Sequence, residues 1–217
     1  MCRTRRIDDA VRDAIGRGLR PLVILGAGLD TRPYRLDGIA NLRTVEIDLP
    51  AVQEFKRSRL LRRFGGLPPN VCFVSTDFNR EPLDAVLERG GLAPSEAAVF
   101  VWEGVSQYLL PEAVDSVLRT IARRPRGTEL IFTYVLEEAI TKAFRPGRSE
   151  AFRKSAARQP EPWRFGIDPS QLGAFLAARG LSLRQDFGAR EHLADYLRPA
   201  GRMFEVSEIE RVAIAAA

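Results

Sequence analysis

The feature that most constrains this chain is an apolar run that stops on glycines, Pro21-Leu22-Val23-Ile24-Leu25-Gly26-Ala27-Gly28-Leu29-Asp30-Thr31-Arg32. A short aliphatic, β-branched run of this kind predicts a buried parallel strand over 21–26 that turns sharply at its carboxyl end. Glycine at 26 and 28 lets the backbone turn tightly and approach a ligand with no Cβ in the way. Twenty-two residues after Gly26 a second apolar strand, 42–48, ends in Asp48. A glycine turn followed by a strand-end carboxylate suits a ribose-containing cofactor.

The remaining elements alternate. Ile7, Ala10, Val11, Ala14 and Ile15 share one face of a helix expected over 3–18. A helix begins after Leu49-Pro50 and ends before Gly65-Gly66. Strands are expected at 71–75, 97–102 and 129–134. A helix over 81–88 separates the first two, and one opened by Pro111 separates the last two. Asp168-Pro169 caps a further helix that Gly180 closes. Strand candidates at 181–187 and 208–214 follow, with a helix over about 191–198 between them. Short strands alternating with helices predict one α/β domain over 1–217 with a mainly parallel sheet. Residues 135–168 are less regular and rich in arginine, proline and glycine, which marks them as the expected lid or substrate insertion.

Composition narrows the class. The 217 residues carry 45% hydrophobic and 28% charged residues, as a globular domain does. No apolar run approaches the ~20 residues that span a bilayer, so no membrane partner is expected. Ile7-Asp8-Asp9 follows the basic start, which is not a secretory signal, and the cytoplasm is the default expectation. The net charge is +5, and Lys56, Lys142 and Lys154 are the only lysines among 33 basic residues. Those arginines are spread over most expected helices without interleaved aromatics, which argues against nucleic acid as a partner. Cys2, Cys72 and the lone His192 show no metal-ligand spacing, so no metal is expected. Cys72 reads as a small strand residue in the core, and His192 as a helix-surface or packing residue.

The chemistry concentrates where the strands end, which is where open α/β sheets bind ligands. The first strand ends in Gly26-Ala27-Gly28, the second in Asp48, the third in Asp77-Phe78 and the fourth in Glu103-Gly104. Each suits one part of S-adenosylmethionine. Asp48 can accept two hydrogen bonds from ribose hydroxyls. Asp77 can accept from the adenine amino group, with Phe78 offering an apolar face and a backbone N–H. Glu103 stands nearest the sulfonium side. Each also has a plainer account: a tight βα turn for the glycines, a helix cap for Asp48, and a turn residue for Asp77. Glu103 needs a charged partner in any case, because it ends an apolar strand. Glu46, two residues before Asp48, is read as structural.

Leu25-Gly26-Ala27-Gly28-Leu29-Asp30-Thr31-Arg32, Val45-Glu46-Ile47-Asp48, Trp102-Glu103-Gly104-Val105 and Tyr108-Leu109 together resemble the leucine carboxyl methyltransferase family, which includes polyketide O-methyltransferases of the tetracenomycin type. The resemblance covers almost the whole chain. It implies a Rossmann-like class I methyltransferase fold, with a seven-stranded, mainly parallel sheet and an antiparallel last strand, and S-adenosyl-L-methionine as methyl donor. It implies that Arg3 holds the methionine carboxylate, Gly26 belongs to the glycine motif, Asp48 binds ribose, Asp77 and Phe78 bind adenine, and Glu103 lies near the methionine moiety. Family members usually carry a further helical segment before the arginine motif, and the chain is expected to lack most of it.

The function expected is O-methyl transfer to a small-molecule carboxylate or hydroxyl. Tyr108, Tyr134, Arg145, Trp163 and Phe165 are the candidates for an acceptor pocket, with Tyr108 and Trp163 foremost. Two alternatives stand beside it. A nicotinamide-dependent oxidoreductase fits the glycine turn and Asp48, but Thr31 stands where a third glycine belongs. A non-catalytic, cofactor-binding relative is the other.

Overall fold

The computed structural model describes residues 2–39, 41–143 and 162–217. Seven strands form one sheet in the order β3-β2-β1-β4-β5-β7-β6. They are β1 (Leu22–Leu25), β2 (Thr44–Asp48), β3 (Val71–Ser75), β4 (Val99–Trp102), β5 (Glu129–Val135), β6 (Ser182–Phe187) and β7 (Glu210–Ala216). β7 runs antiparallel to both β5 and β6, while the pairs among β1 to β5 are parallel. Every strand expected from the sequence is present, with ends shifted by up to two residues.

The sheet is covered on both faces, which is why its central strands are apolar throughout. All four residues of β1 and of β4 are buried. On one face lies α1 (Cys2–Gly16), whose Ile7, Ala10, Val11, Ala14 and Ile15 cluster with Leu22, Ile24, Val99, Val101 and Ile131. These five helical residues are the ones whose 3.6-residue spacing marks them as one face. On the other face, α4 (Leu83–Arg89), α5 (Pro111–Ala122) and α7 (Leu172–Ala177) bury Val86, Val117, Ile121 and Leu176 against Phe100, Trp102 and Phe132. Cys72 is partly buried against this second cluster, and Cys2 and Cys72 are both free thiols.

Two helices were not foreseen. The four-residue α2 (Arg32–Arg35) starts with Pro33 in its first turn, too short a span for any periodicity to show. α6 (Glu137–Ala143) occupies the start of the stretch expected to be irregular. Residues 162–168 run beside the end of β5, where Ile167 N–H donates to the Val135 carbonyl at 3.0 Å. Arg145 and the rest of the expected insertion, 144–161, lie outside the described residues. The helix expected over 191–198 is instead α8 (Ala189–His192), continuing as a π-helical turn over Leu193–Leu197.

Register brings the strand ends level. Leu25 pairs with Ile47, and Asp48 with Ser75. Ile24 pairs with Val101, so Glu103 stands one residue beyond the level of Leu25. Gly26, Asp48 and Glu103 therefore share one edge of the sheet, on three adjacent strands.

Candidate functional site

Both glycines of the turn adopt left-handed backbone, Gly26 at φ +66° and Gly28 at φ +42°. They serve different ends. A Cβ at Gly26 would run into the Val105 side chain, so that glycine is required by packing against the loop after β4. A Cβ at Gly28 would meet nothing closer than a backbone oxygen at 3.9 Å, so the space in front of Gly28 is open. That space is a cleft of about 300 Å3 walled by Arg3, Gly26, Gly28, Asp30, Arg32 and Glu103, among others.

Asp48 holds the turn in shape. Its Oδ2 accepts from Gly28 N–H at 2.5 Å, and its Oδ1 accepts from Leu49 N–H at 2.7 Å. The residue in the N-cap position of α3 (Pro50–Phe64) is Leu49, and it has no side-chain cap. Each carboxylate oxygen retains a second lone pair, so the group can still receive two hydroxyls.

Glu103 has the partners that a strand-end charge requires. Its Oε2 lies 2.7 Å from Arg32 Nη2, and its Oε1 accepts from Arg3 Nε at 2.7 Å. Arg3 also reaches Glu210 at 2.5 Å across the start of β7. Arg32 is the hub. It is 2% exposed and pairs with Asp8 at 2.8 Å, Asp30 at 2.5 Å and Glu103 at 2.7 Å. Burial is the largest single influence and lowers its pKa, but the acids together outweigh it and the pKa is raised. Arg35 closes the network on Asp8 at 2.6 Å. Arg32 carried a signal in the sequence, as a cation two residues after an acid and four after the glycine turn. Asp8 and Glu210 carried none, since both lie far away in the chain.

Asp77 and Phe78 are placed differently. The Asp77 carboxylate accepts from Asn79 N–H at 3.0 Å and pairs with Arg80 at 3.3 Å, a local turn arrangement. Phe78 is half-buried against the core. Neither belongs to the cleft wall, although Thr76 N–H donates to the Asp48 carbonyl at 2.9 Å and so brings this loop alongside β2.

Among the acceptor candidates, none of Tyr108, Tyr134, Trp163 and Phe165 lines the cleft beside Gly28, and two are core residues. Tyr134 is wholly buried, and its hydroxyl donates to Asp186 at 3.0 Å, since β5 lies inside the sheet and is covered on both faces. Burial, with Asp186 adding to it, drives that phenol above its ordinary pKa. Phe165 is buried with its ring 5.8 Å from that of Phe175. The segments that carry Tyr108 and Trp163 are docked on each other in the fold. Tyr108 sits on a 3-10 turn, Ser106–Tyr108, that follows Glu103. Arg164 N–H donates to the Gln107 carbonyl at 2.6 Å, which docks the Trp163 segment on that turn. The Trp163 indole N–H is buried with no partner among the described residues.

His192 packs, as expected, with its ring 6.4 Å from that of Tyr196. Burial lowers its pKa, and the charge of Arg6 adds to this. It also helps to wall a second cavity of about 1040 Å3, which shares Arg3, Thr4, Thr31 and Arg35 with the cleft. Among the described residues there is no cluster of three groups able to hold a metal, and no helix long and apolar enough to cross a membrane.

Comparisons with known proteins agree with this architecture. Residues 1–122 match the family model of leucine carboxyl methyltransferase. A relative from Mycolicibacterium gilvum, named as an S-adenosyl-L-methionine-dependent methyltransferase, is 32% identical over 203 residues, 92% of this chain and 60% of its own length. The chain spans 38% to 60% of the length of the curated relatives it matches. A solved DUF574 family protein from Streptomyces avermitilis shares the fold with a TM-score of 0.64 at 20% identity, covering 99% of this chain and 80% of that one. An O-methyltransferase of neocarzinostatin biosynthesis, solved with S-adenosylmethionine and 2-hydroxy-5-methyl naphthoic acid, superposes with a TM-score of 0.54 at 17% identity, over 90% of this chain and 48% of that one. The matched 122 residues hold the glycine turn, Asp48 and Glu103 together with the helix that carries Arg3, and on that match the chain belongs to the leucine carboxyl methyltransferase family.

Proposed function

We propose that this chain is an S-adenosylmethionine-dependent O-methyltransferase acting on a small-molecule carboxylate or hydroxyl. The observation that carries the reading is the open Gly28 turn set between two strand-end carboxylates, Asp48 and Glu103, with Arg3 at its mouth. Those residues fit the cofactor. The space a Cβ would fill at Gly28 is empty, Asp48 keeps acceptor capacity for ribose hydroxyls, and Glu103 sets negative charge beside the cleft for a cationic sulfonium and amine.

The cofactor supplies a sulfonium methyl open to in-line displacement. The chain supplies position. Asp48 holds the ribose, Arg3 the methionine carboxylate, and Asp77 with Phe78 the adenine at the neighbouring strand end. Tyr108 and Trp163 lie after Glu103 and form the acceptor side, where the Trp163 N–H, buried and without a partner among the described residues, is a donor left for an acceptor oxygen bound against it. A carboxylate acceptor arrives ionised and needs no general base; a hydroxyl needs proton removal. Support for O-methylation of a small molecule comes from the neocarzinostatin-pathway enzyme, which was solved with an aromatic acid.

Calorimetry with S-adenosylhomocysteine and with NAD tests the cofactor. Binding of S-adenosylhomocysteine alone is expected, and binding of NAD alone sinks the reading. Transfer of label from methyl-labelled donor into a panel of small aromatic and aliphatic acids and alcohols tests the acceptor class. Label found only on amines or thiols would remove the O-methyl assignment.

A further inference from the structure

Beneath the glycine turn lies a second charged group that the proposed function does not use. Glu46 is wholly buried and Lys56 nearly so, and they pair at 2.6 Å. The Tyr34 hydroxyl donates to the other Glu46 oxygen at 2.7 Å. Gln53, also buried, donates to the Glu46 backbone carbonyl at 2.9 Å. Two charges removed from water cost several kcal/mol each, so such a pair is poor evidence for stability as such. The position of Lys56 suggests what it does. Its ammonium also reaches the Ala27 carbonyl, 3.5 Å away.

The Ala27 carbonyl and the Gly28 N–H belong to one peptide unit. Its oxygen faces the Lys56 ammonium and accepts from Asp30 N–H at 2.7 Å. Its N–H donates to the Asp48 carboxylate at 2.5 Å. The peptide dipole thus lies between a buried cation and a carboxylate, each at its favourable end. Gly28 forms the carboxyl side of this unit, and with no Cβ it leaves the φ on that side free to change. The unit is restrained by the Asp30 N–H and by two charges, the Asp48 carboxylate on its N–H and the buried Lys56 ammonium on its oxygen.

We infer that Lys56, held by Glu46 and Tyr34, is a positioning residue: it locks the Ala27–Gly28 peptide in the orientation that ties Gly28 to Asp48 and shapes the cofactor turn. The inference rests on the assignment of this turn to S-adenosylmethionine. Lys56 does not itself line the cleft; it meets the cleft wall at the Ala27 carbonyl, so it acts through the turn.

The test separates the lock from a general loss of stability. Lys56→Met leaves Glu46 without its cation, and unfolding temperature is expected to fall. The double variant Lys56→Met/Glu46→Gln removes both charges, keeps their volume, and is expected to regain most of that temperature. Two readouts follow on the double variant. Hydrogen exchange at the Gly28 amide, without cofactor, is expected to speed up at least tenfold while the Leu22–Leu25 amides stay as slow as before. The dissociation constant for S-adenosylhomocysteine is expected to rise at least tenfold. If affinity and Gly28 exchange return to the values of the unmodified protein along with the unfolding temperature, Lys56 is merely structural and the inference is overturned. Faster exchange with unchanged affinity also overturns it, since the lock would then not serve the cofactor. An unmodified protein that binds no S-adenosylhomocysteine overturns the cofactor assignment instead, and Gly28 exchange still decides whether the lock exists.

Discussion

Two charged clusters adjoin the same glycine turn, and they differ in cation and in access to water. Around Arg32, a planar guanidinium gathers three acids, Asp8, Asp30 and Glu103, and Arg3 completes the group from its half-exposed place at the mouth of the cleft. Around Lys56, a compact ammonium meets one acid, Glu46, in a site from which the carboxylate never reaches solvent. The forked donors of arginine hold several carboxylates at fixed angles, while lysine provides a point charge. The open cluster can therefore exchange an internal partner for a ligand, since Arg3 and Glu103 both face the cleft. The closed cluster has nothing to exchange and can only hold its neighbours still.

The largest effect that would break this contrast is expected at Arg32. Arg32→Leu strands three carboxylates around an apolar side chain, and urea unfolding should show a loss of about 3–5 kcal/mol. A loss below about 1 kcal/mol would mean that the hub is not the buried junction described. Next comes Asp48→Ala, which removes charged hydrogen bonds to ribose and the tie to Gly28. S-adenosylhomocysteine affinity is expected to weaken by about 1–3 kcal/mol. Unchanged affinity by calorimetry would refute the ribose role.

Arg3→Ala sharpens the contrast from the other side. Its side chain is 44% exposed, so its ion pairs are screened and its loss should cost at most about 1 kcal/mol of folding stability. Affinity for S-adenosylhomocysteine should nevertheless fall several-fold. A stability loss as large as that of Arg32→Leu would erase the distinction between the two arginines.

The smallest expected effect is a slope with pH. Burial holds the Glu46 carboxyl above its ordinary value, against the pull of Lys56 and Tyr34. A raised folded pKa means that the folded state binds more protons. The stability linked to Glu46 is therefore full below about pH 4.5 and is lost as pH rises through the folded value. Glu46→Gln removes that titration, so its stability relative to the unmodified protein should improve between pH 4.5 and pH 7. Urea unfolding at several pH values reads this directly, and a gap that moves the other way would show that Glu46 is not raised.

The legible part of the molecule is the part written in short runs. Residues 21–26, 42–48 and 97–102 declare strands because buried parallel strands need continuous apolar residues. Gly26, Gly28, Asp48 and Glu103 declare a ligand edge because glycine and acids have no business at the end of such runs without a cause. The periodicity of α1 was equally plain, since every third or fourth residue is buried. What escaped were features with no local pattern. Four residues of α2 are too few to show a period. Tyr134 and Phe165 looked like aromatic pocket walls, but β5 is covered on both faces and each has an internal partner. The need of Gly26 for room beside Val105 was hidden as well, because the two lie far apart in the chain.

The sequence by itself determined the alternation of strands and helices, the sharp glycine turn and the acids that end the strands, because each depends on side-chain type at near-neighbour spacing. Only the tertiary structure decided which charges meet. Arg32 with Asp8, Glu103 with Arg3, Arg3 with Glu210 and Lys56 with Glu46 are pairs separated by many residues, and electrostatic attraction acts through space, set by register and packing. The glycine turn is a backbone device in the sequence; in the fold it is a peptide held between an exchangeable carboxylate edge and a closed, buried cation.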